Sequence, residues 1–481
     1  MNVELRPVLP ALIVAVTGLA VLLAQAFTPK GKAAPSVGLS LLGLFAAFVS
    51  ILLMARGPEY GLGTTTGGTL VADSFALFLQ ALVVGVGILT VLLSPSYLRA
   101  NGLERGEYYT LTLFSLVGMM GLASTTELIS LFVALEIMSV ALYALCALRR
   151  DQAESQEAAI KYFVTGAFAS AFFLYGIALL YGVSGSTSLG RIASSVASPG
   201  HETLAILAAG LLLVGLGFKV ASVPFHMWVP DVYEGAPTVV TAFMAAGVKA
   251  AAFGALIRIF GAALPSLAES WQPAVAALAV VTMVIGNLGA MAQTNVKRML
   301  AWSSIAHAGY LLTAMVAAPR VAAEAILFYL VGYAAVNLGG FGALAALSKD
   351  GREPMSLHDM AGLAQRRPSL AAALTVYLVS LTGVPISAGF VGKFYLFGAA
   401  VGAGHAILAI VGVVMSVVSA YYYLRVVVHM YMKEAIGPDD WAPVATGPAV
   451  AMAVSTTIVL GLGLYPAPLL ALARAAARAI Y

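Results

Sequence analysis

The chain has 481 residues, of which 61% are hydrophobic and 10% are charged, and its formal net charge is +4. Soluble domains carry about 25% charged residues, so this composition excludes a soluble globular protein and indicates an integral membrane protein. The basic residues lie in short loops between apolar runs, a distribution that gives no footprint for nucleic-acid binding.

Redox cofactors and nucleotides are not expected to bind this chain. A single cysteine, Cys146, and six scattered histidines offer no spacing for an iron–sulfur cluster, zinc or haem. No segment matches a glycine-rich dinucleotide fingerprint or a phosphate-binding loop. The N-terminal apolar run lacks a small-residue cleavage site, so we interpret it as a retained helix and not as a signal peptide.

Fourteen apolar runs predict an all-α membrane protein. A spanning helix needs about 20 mostly apolar residues, and the runs that meet this length are separated by short polar loops. They cover residues 8–26, 37–55, 71–94, 108–124, 126–147, 160–183, 203–229, 237–260, 272–292, 299–318, 324–347, 370–398, 405–432 and 447–472. The loops are too short to bury a core, so residues 1–481 are predicted to form a single membrane domain.

Lysine and arginine are unevenly distributed between the two sets of loops. The loops after the odd-numbered runs hold 14 basic residues, and the other set, with both termini, holds 7. The larger set is Lys30, Lys32, Arg99, Arg105, Arg149, Arg150, Lys161, Lys297, Arg298, Lys349, Arg352, Arg366, Arg367 and Lys433. Because cytoplasmic loops are enriched in lysine and arginine, both termini are predicted to lie outside the cytoplasm.

Four ionisable residues lie inside predicted spans. They are Glu136 in LFVALEIMSVALYAL, Lys219 in LVGLGFKVASVPFH, Lys249 in TAFMAAGVKAAAFGAL and Lys393 in GVPISAGFVGKFYLF. A charge near the bilayer centre costs several kcal/mol, so it persists only where it faces protein or water and has a partner. Glu136 and Lys249 are expected about 15–18 Å into their helices, near the middle of a core about 30 Å thick.

Two of these lysines have a proline nearby that interrupts the helix. Pro224 follows Lys219 by five residues, and Pro385 precedes Lys393 by eight. Proline inside a helix frees backbone polar groups that hydrocarbon cannot satisfy, so such breaks occur where they line protein or water. Transporters place discontinuous helices of this kind at their ion sites. One break in each half of the chain also indicates an internal repeat.

The buried charges predict a proton relay. Glu136 is the expected partner of Lys219, and separation of this pair would ease release of the proton from the lysine. His226 is either a further proton carrier or a loop histidine bonded to the backbone. His307 is either a link between Lys249 and Lys393 or a satisfied core histidine. The competing interpretation is a scaffold, in which buried ion pairs only fix the register of the helices.

Asp231 and Glu234 follow the seventh run closely. We expect them in a short loop at the predicted cytoplasmic end of that run, where they shape the loop and cap a helix. Proton entry is the alternative role for this pair of carboxylates.

Four segments carry a family resemblance: VPFHMWVPDVYEGAPTVVTAF, EAAIKYFVTGAFASAFFLYGIALLYG, NVKRMLAWSSIAHAGYLL and LTGVPISAGFVGKFYLF. They resemble the antiporter-like subunits of respiratory complex I, most closely the subunit N family of bacterial NADH-quinone oxidoreductase. The resemblance covers nearly the whole chain. It implies about fourteen helices with two inverted five-helix repeats and with discontinuous seventh and twelfth helices. Residues 1–107 would then precede a first repeat (108–260), a second repeat (272–432) and a C-terminal helix (447–481).

The resemblance also implies a function. Glu136, Lys219, Lys249 and Lys393 match the ionisable residues of the family's proton path. The chain would be a proton-translocating subunit of a bacterial inner-membrane complex, in contact with lipid and with other complex I membrane subunits. FMN, iron–sulfur clusters, NADH and quinone are expected in partner subunits.

One departure from the family pattern is Val239, which stands where relatives often have a second proline after Pro237. This departure lies at the start of the eighth helix and does not affect the residues that match the proton path. A subunit of an Mrp-type cation/proton antiporter is the alternative family, because it shares the broken helices and can carry the same lysine in the twelfth helix.

The predicted topology can be tested with reporter fusions. A fusion after Tyr481 is expected on the outer face, and a fusion in the loop around Arg352 on the cytoplasmic face, because the basic loops mark the cytoplasmic side. Reporter activity on the same side at both positions would show that the number of spans between them is wrong.

Overall fold

The computed structural model describes residues 5–29, 35–56, 68–349, 351–353, 355–435 and 443–480. Lys30, Lys32 and Tyr481, which the topology argument uses, lie outside the described residues. Over the described ranges the protein is all-α, and its only β pairing consists of isolated bridges such as that between Glu127 and Ser188. The predicted all-α membrane architecture is confirmed.

The helices follow one another with short connections. In chain order they are α1 (Arg6–Phe27), α2 (Ser36–Arg56), α3 (Ser74–Ala100), α4 (Gly106–Ser124), α5 (Leu128–Cys146), α6 (Ala153–Ser184), α7 (Leu189–Val196), α8 (Glu202–Val220), α9 (Trp228–Gly235), α10 (Thr238–Ala263), α11 (Pro265–Met291), α12 (Val296–Ala314), α13 (Pro319–Ala346), α14 (Leu363–Arg366), α15 (Pro368–Thr382), α16 (Ala388–Gly402), α17 (Ala406–Met432), α18 (Thr446–Leu464) and α19 (Ala467–Arg478). In the described part of the chain, eleven of these helices are long and apolar enough to cross a membrane.

The remaining predicted runs also coincide with helices. The fourth and tenth runs correspond to α4 and α12, each with 19 residues. The twelfth run is divided into α15 and α16, each with 15 residues. The prediction that the fourteenth run continues to residue 472 is wrong, because α18 ends at Leu464 and α19 begins at Ala467 with a separate amphipathic face. Pro466 explains the break, since a proline disfavours helical backbone in the residue before it.

The break predicted at Pro224 is present, and other parts of the protein satisfy its backbone groups. α8 ends at Val220, and Ala221 takes the left-handed conformation with φ 66°. The indole of Trp228 donates to the Phe218 carbonyl at 3.1 Å. The freed N–H of Val223 donates to the Thr282 hydroxyl on α11 at 2.9 Å. Hydrocarbon offers no such partners, so the break depends on these contacts.

The second break lies between α15 and α16, as Pro385 predicted. Gly383 has φ 91°, a conformation that favours glycine. The N–H of Gly389 donates to the Ser380 hydroxyl at 3.1 Å, and Ser387 caps α16 by accepting from the N–H of Phe390. The N–H groups of Gly389 and Phe390 in the first turn of α16 therefore have hydrogen-bond partners.

α10 forms the centre of the protein and is buried along almost its whole length. It is not a regular helix, because Met244–Val248 and Ile257–Ala263 form π-helical turns. Lys249 follows the first of these turns directly. Sequence patterns did not predict these turns, which often occur at functional positions.

α4 and α5 approach each other closely at Gly118. A Cβ atom at this position would meet the backbone nitrogen of Met138 and lie 2.6 Å from the carbonyl oxygen of Ala134. Both contacts are to backbone, so side-chain rotation cannot relieve them. The contact fixes α5, which carries Glu136, against α4.

We predict that Gly118→Ala lowers the stability of the protein by about 1–3 kcal/mol, because the added methyl group overpacks the α4–α5 contact. The matched control is Gly85→Ala, since nothing lies within 4 Å of a Cβ at Gly85 in the middle of α3. That substitution is expected to raise stability by about 0.5–1 kcal/mol. Thermal unfolding in detergent measures both variants, and equal midpoints would contradict the close approach.

Candidate functional site

Lys219 lies in the last turn of α8, and its side chain is buried among aromatic rings. Its ammonium group donates to the hydroxyl of Ser139 on α5 at 2.8 Å. The same nitrogen lies 5.3 Å from the ring centre of Tyr162 and 5.7 Å from that of Tyr143. Ring faces attract a cation, so these contacts stabilise the ammonium form without a carboxylate.

The predicted partner of Lys219 has a different contact. The carboxylate of Glu136 accepts from the hydroxyl of Ser170 on α6 at 2.5 Å. No ion pair joins Glu136 to Lys219, although both residues are among those described. The two residues are therefore not in direct contact in this structure, where a hydroxyl group contacts each charge. Ser139 and Glu136 are three residues apart and share one face of α5.

Lys249 also interacts with neutral oxygen atoms. Its ammonium group donates to the carbonyl and, at 2.7 Å, to the hydroxyl of Ser304 on α12. It lies 3.3 Å from the hydroxyl of Tyr333 on α13, which in turn donates to the Ser304 hydroxyl at 2.8 Å. Lys249 is 3% exposed, so these contacts lie away from bulk solvent.

His307 lies one helical turn after Ser304 on α12 and is buried. Its Nδ1 atom shares a hydrogen bond with the hydroxyl of Tyr329, and its Nε2 atom lies 3.2 Å from the hydroxyl of Tyr423. Both ring nitrogens therefore have hydroxyl partners. A hydroxyl can donate or accept, so either tautomer of the imidazole fits this site.

Lys393 contacts the end of α15, at the second helix break. Its ammonium group donates to the carbonyl oxygens of Leu381 and Thr382 at 2.8 and 3.0 Å, and to the hydroxyl of Ser416. The same nitrogen lies 4.7 Å from the ring centre of Tyr310 on α12. Carbonyl groups at a helix C-terminus attract a cation, so this position suits the ammonium form.

His226 lies in the break between α8 and α9. Its ring is 5.5 Å from the ring of Trp302 on α12, and its Nδ1 atom has no hydrogen-bond partner among the described residues. In the described part of the chain no hydrogen bond connects His226 with Lys219. The structure thus brings His307 into the group of buried polar residues and places His226 at its edge.

Sequence reasoning missed the neutral partners of the lysines. Serine and tyrosine are common in apolar helices, so Ser139, Tyr333 and Ser416 carry no distinguishing pattern. One pattern in the sequence could have indicated some of these partners. Ser304, His307 and Tyr310 are spaced by three residues, which places them on one face of α12.

Charged residues on α6, α9 and α12 form the outer ion cluster, which consists of Glu157, Lys161, Asp231, Glu234 and Arg298. Asp231 pairs with Lys161 at 2.7 Å and with Arg298 at 2.8 Å, and Glu234 pairs with Arg298 at 2.6 Å. The prediction that Asp231 and Glu234 lie in a loop is wrong, because residues 228–235 form two turns of helix.

A second group of charges, the inner ion cluster, consists of Arg149, Lys297 and Glu353 with the polar residues Tyr97 and Thr238. The Glu353 carboxylate pairs with Arg149 and, at 3.3 Å, with Lys297, and it accepts from the Thr238 hydroxyl at 2.9 Å. Tyr97 donates to the same carboxylate. Burial opposes ionisation of Glu353, but the charges of Lys297 and Arg149 hold its pKa below the usual value.

No three His, Cys, Asp or Glu side chains come together as a metal site in the ranges that the structure describes. The buried polar groups described above are instead ammonium groups, hydroxyls and an imidazole. Such groups can pass protons along hydrogen bonds.

Comparisons with known proteins give consistent results. A family model described as NADH:quinone oxidoreductase/Mrp antiporter matches residues 125–419. NADH-quinone oxidoreductase subunit N from Trichlorobacter lovleyi is 42% identical over 484 residues, covering 100% of this chain and 98% of that protein.

Two solved structures are also similar. A chain in respiratory complex I from Thermus thermophilus with bound aureothin has a TM-score of 0.82 and 38% identity, covering 96% of this chain and 98% of that one. A chain of the Mrp complex from Dietzia sp. DQ12-45-1b has a TM-score of 0.87 at 23% identity, covering 99% and 98%. At that identity the second likeness shows a shared fold alone.

The inner ion cluster gives a prediction about stability. Glu353→Gln leaves Arg149 and Lys297 buried without their acid, so it is expected to cost about 3–5 kcal/mol at neutral pH. The wild-type carboxyl has a lowered pKa in the folded state. Its contribution is therefore complete above about pH 4.3, the usual glutamate pKa, and is lost as the pH falls through the folded value. Unfolding midpoints in detergent should differ at pH 7 and converge in acid, and a constant difference would contradict this assignment.

Proposed function

The chain belongs to the family of NADH-quinone oxidoreductase subunit N, and we propose that it carries protons across the membrane through a relay of its buried lysines. The resemblance to this family is confirmed by the full-length relatives. The relay we propose contains Glu136, Lys219, Lys249 and Lys393, with His307 as a link and His226 at its edge.

One observation carries the proposal: a single face of α12 lies between two of the buried lysines. Ser304 accepts from Lys249, and the ring of Tyr310 lies against Lys393. His307 lies between these two positions in the sequence, with hydroxyl groups at both ring nitrogens. A proton leaving Lys249 would therefore meet hydroxyl and imidazole groups on the way to Lys393.

The neutral partners suit lysines that gain and lose protons. Serine and tyrosine hydroxyls can donate to a neutral amine or accept from an ammonium group, so a hydrogen bond survives in both states. A permanent carboxylate partner would instead hold the proton on the lysine. In this proposal Glu136 is the exception, and its approach to Lys219 or its separation from it sets how readily that lysine releases its proton.

The energy for transport is proposed to come from partner subunits. NADH oxidation and quinone reduction, with FMN and iron–sulfur clusters, would occur there, because the composition of this chain supplies no ligand set for them. We place the chain in the bacterial inner membrane with both termini outside the cytoplasm, next to other complex I membrane subunits.

We further propose fourteen spans, in which α15 and α16 act as one discontinuous span and α8 and α9 form another. Residues 108–260 and 272–432 would be the two inverted repeats, between N-terminal helices (1–107) and a C-terminal part (447–481). A broken helix with a lysine in each proposed repeat supports this division.

Lys249 distinguishes the relay from a scaffold. For a relay, Lys249→Ala should leave the complex assembled, while proton pumping and the coupled quinone reductase activity fall together by about a hundredfold. Lys249→Arg should restore little activity, because a guanidinium group does not give up its proton.

A scaffold predicts the reverse order of the two variants. Arginine would keep the charge and be tolerated, whereas alanine would impair assembly. Pumping and reductase activity are measured in the purified complex reconstituted into vesicles, and normal pumping by an assembled Lys249→Arg complex would exclude Lys249 as a proton carrier.

A further inference from the structure

The inner ion cluster is buried and carries a net positive charge. The side chains of Arg149, Lys297 and Glu353 are 7%, 1% and 4% exposed, so two cations share one acid away from solvent. Thr238 and Lys297 lie in the first turns of α10 and α12. Helix N-termini carry partial positive charge, which adds to that of the cluster.

The outer ion cluster on the same face has the opposite character. Its three acids, Glu157, Asp231 and Glu234, outnumber its two cations, Lys161 and Arg298, and their side chains are 61%, 33% and 34% exposed. Of these three acids, Glu234 is the nearest in sequence to the inner cluster, four residues before Thr238, but it is paired with Arg298 at 2.6 Å. The face thus has an exposed acidic cluster and a buried basic one.

The inner cluster lies at the start of the two helices that hold the middle of the relay. Thr238 precedes Lys249 by eleven residues on α10, which corresponds to about 16 Å along the axis. Lys297 precedes Ser304 by seven residues on α12, or about 10 Å. The cluster therefore lies at the beginning of both helices that lead from this face to Lys249 and its partner Ser304.

We propose that the inner ion cluster is an electrostatic barrier that prevents protons on the predicted cytoplasmic side from reaching Lys249 directly. The proposal rests on the function proposed above. A proton that entered at this point would bypass Glu136 and Lys219, so transport would lose its coupling to them. Fixed positive charge in a narrow, poorly hydrated region excludes cations, including protons, as it does in selective pores.

The test uses variants that change the charge of the cluster in both directions. Lys297→Gln removes a cation. Asn101→Asp adds an anion with little change in shape, at a side chain whose carbonyl accepts from Arg149 at 3.0 Å. Glu353→Gln makes the cluster more positive, and Lys297→Arg keeps its charge.

The measurement is passive proton entry into vesicles that contain the assembled complex, without NADH, after a pH step. An internal dye reports the rate, and co-purification of the other subunits reports assembly. Lys297→Gln and Asn101→Asp are expected to raise the rate about tenfold, the effect of one unit charge about 10 Å away at an intermediate dielectric. Lys297→Arg should match the wild type, and Glu353→Gln should leak no faster than the wild type, although it is the less stable protein.

A purely structural ion cluster gives a different pattern. Glu353→Gln breaks both ion pairs of the cluster and Lys297→Gln breaks one, so Glu353→Gln would leak at least as fast as Lys297→Gln, and Asn101→Asp would not leak. That pattern, or the absence of a leak in both Lys297→Gln and Asn101→Asp, overturns the barrier. If the complex that carries Lys297→Gln does not assemble, the leak rate of the Asn101→Asp complex alone decides between a barrier and a purely structural cluster. The proposed function is tested separately, because wild-type vesicles that do not pump on addition of NADH and quinone would refute it whatever the leak.

Discussion

The structure depends on one constraint: hydrocarbon offers no hydrogen bonds, so every polar group inside it needs a partner in the protein. The two helix breaks meet this constraint in different ways. At the first, Trp228 and Thr282 satisfy groups of α8 and of the following turn. At the second break, the ammonium group of Lys393 donates hydrogen bonds to the carbonyl oxygens of Leu381 and Thr382. The constraint therefore gives the lysine at the second break a structural role as well as a chemical one.

This difference makes the two halves of the proposed relay unequal. Lys219 donates its hydrogen bond to Ser139 on α5, so the C-terminal end of α8 does not depend on the charge of the lysine. Lys393 holds the end of its own broken span, and loss of its proton weakens the contacts that close α15. The state of the proton is thus coupled to backbone geometry in the second half more directly than in the first.

Sequence patterns predicted the positions of the helices and both breaks because apolar length and proline act locally. Composition also identified Lys219, Lys249 and Lys393, since charge inside an apolar run is rare. Their partners could not be predicted, because Ser139 and Ser304 are brought to them by tertiary packing. The inner cluster around Glu353 was missed for the same reason, as the loop that carries it has no periodic pattern. The end of α18 was a different error, because Pro466 was visible in the sequence.

The tight contact at Gly118 has a consequence for how Lys219 meets Glu136. It holds α5 in place, and Glu136 and Ser139 are separated by about 4.5 Å along that helix. The Lys219 side chain has four methylene groups and lies against the rings of Tyr143 and Tyr162, and rotation about its own bonds can move its ammonium group by about this distance. In the proposed relay, exchange of the ammonium group between the hydroxyl and the carboxylate would be a conformational change of a single side chain. It would require no sliding or tilting of helices, and its range would be limited by the length of the lysine.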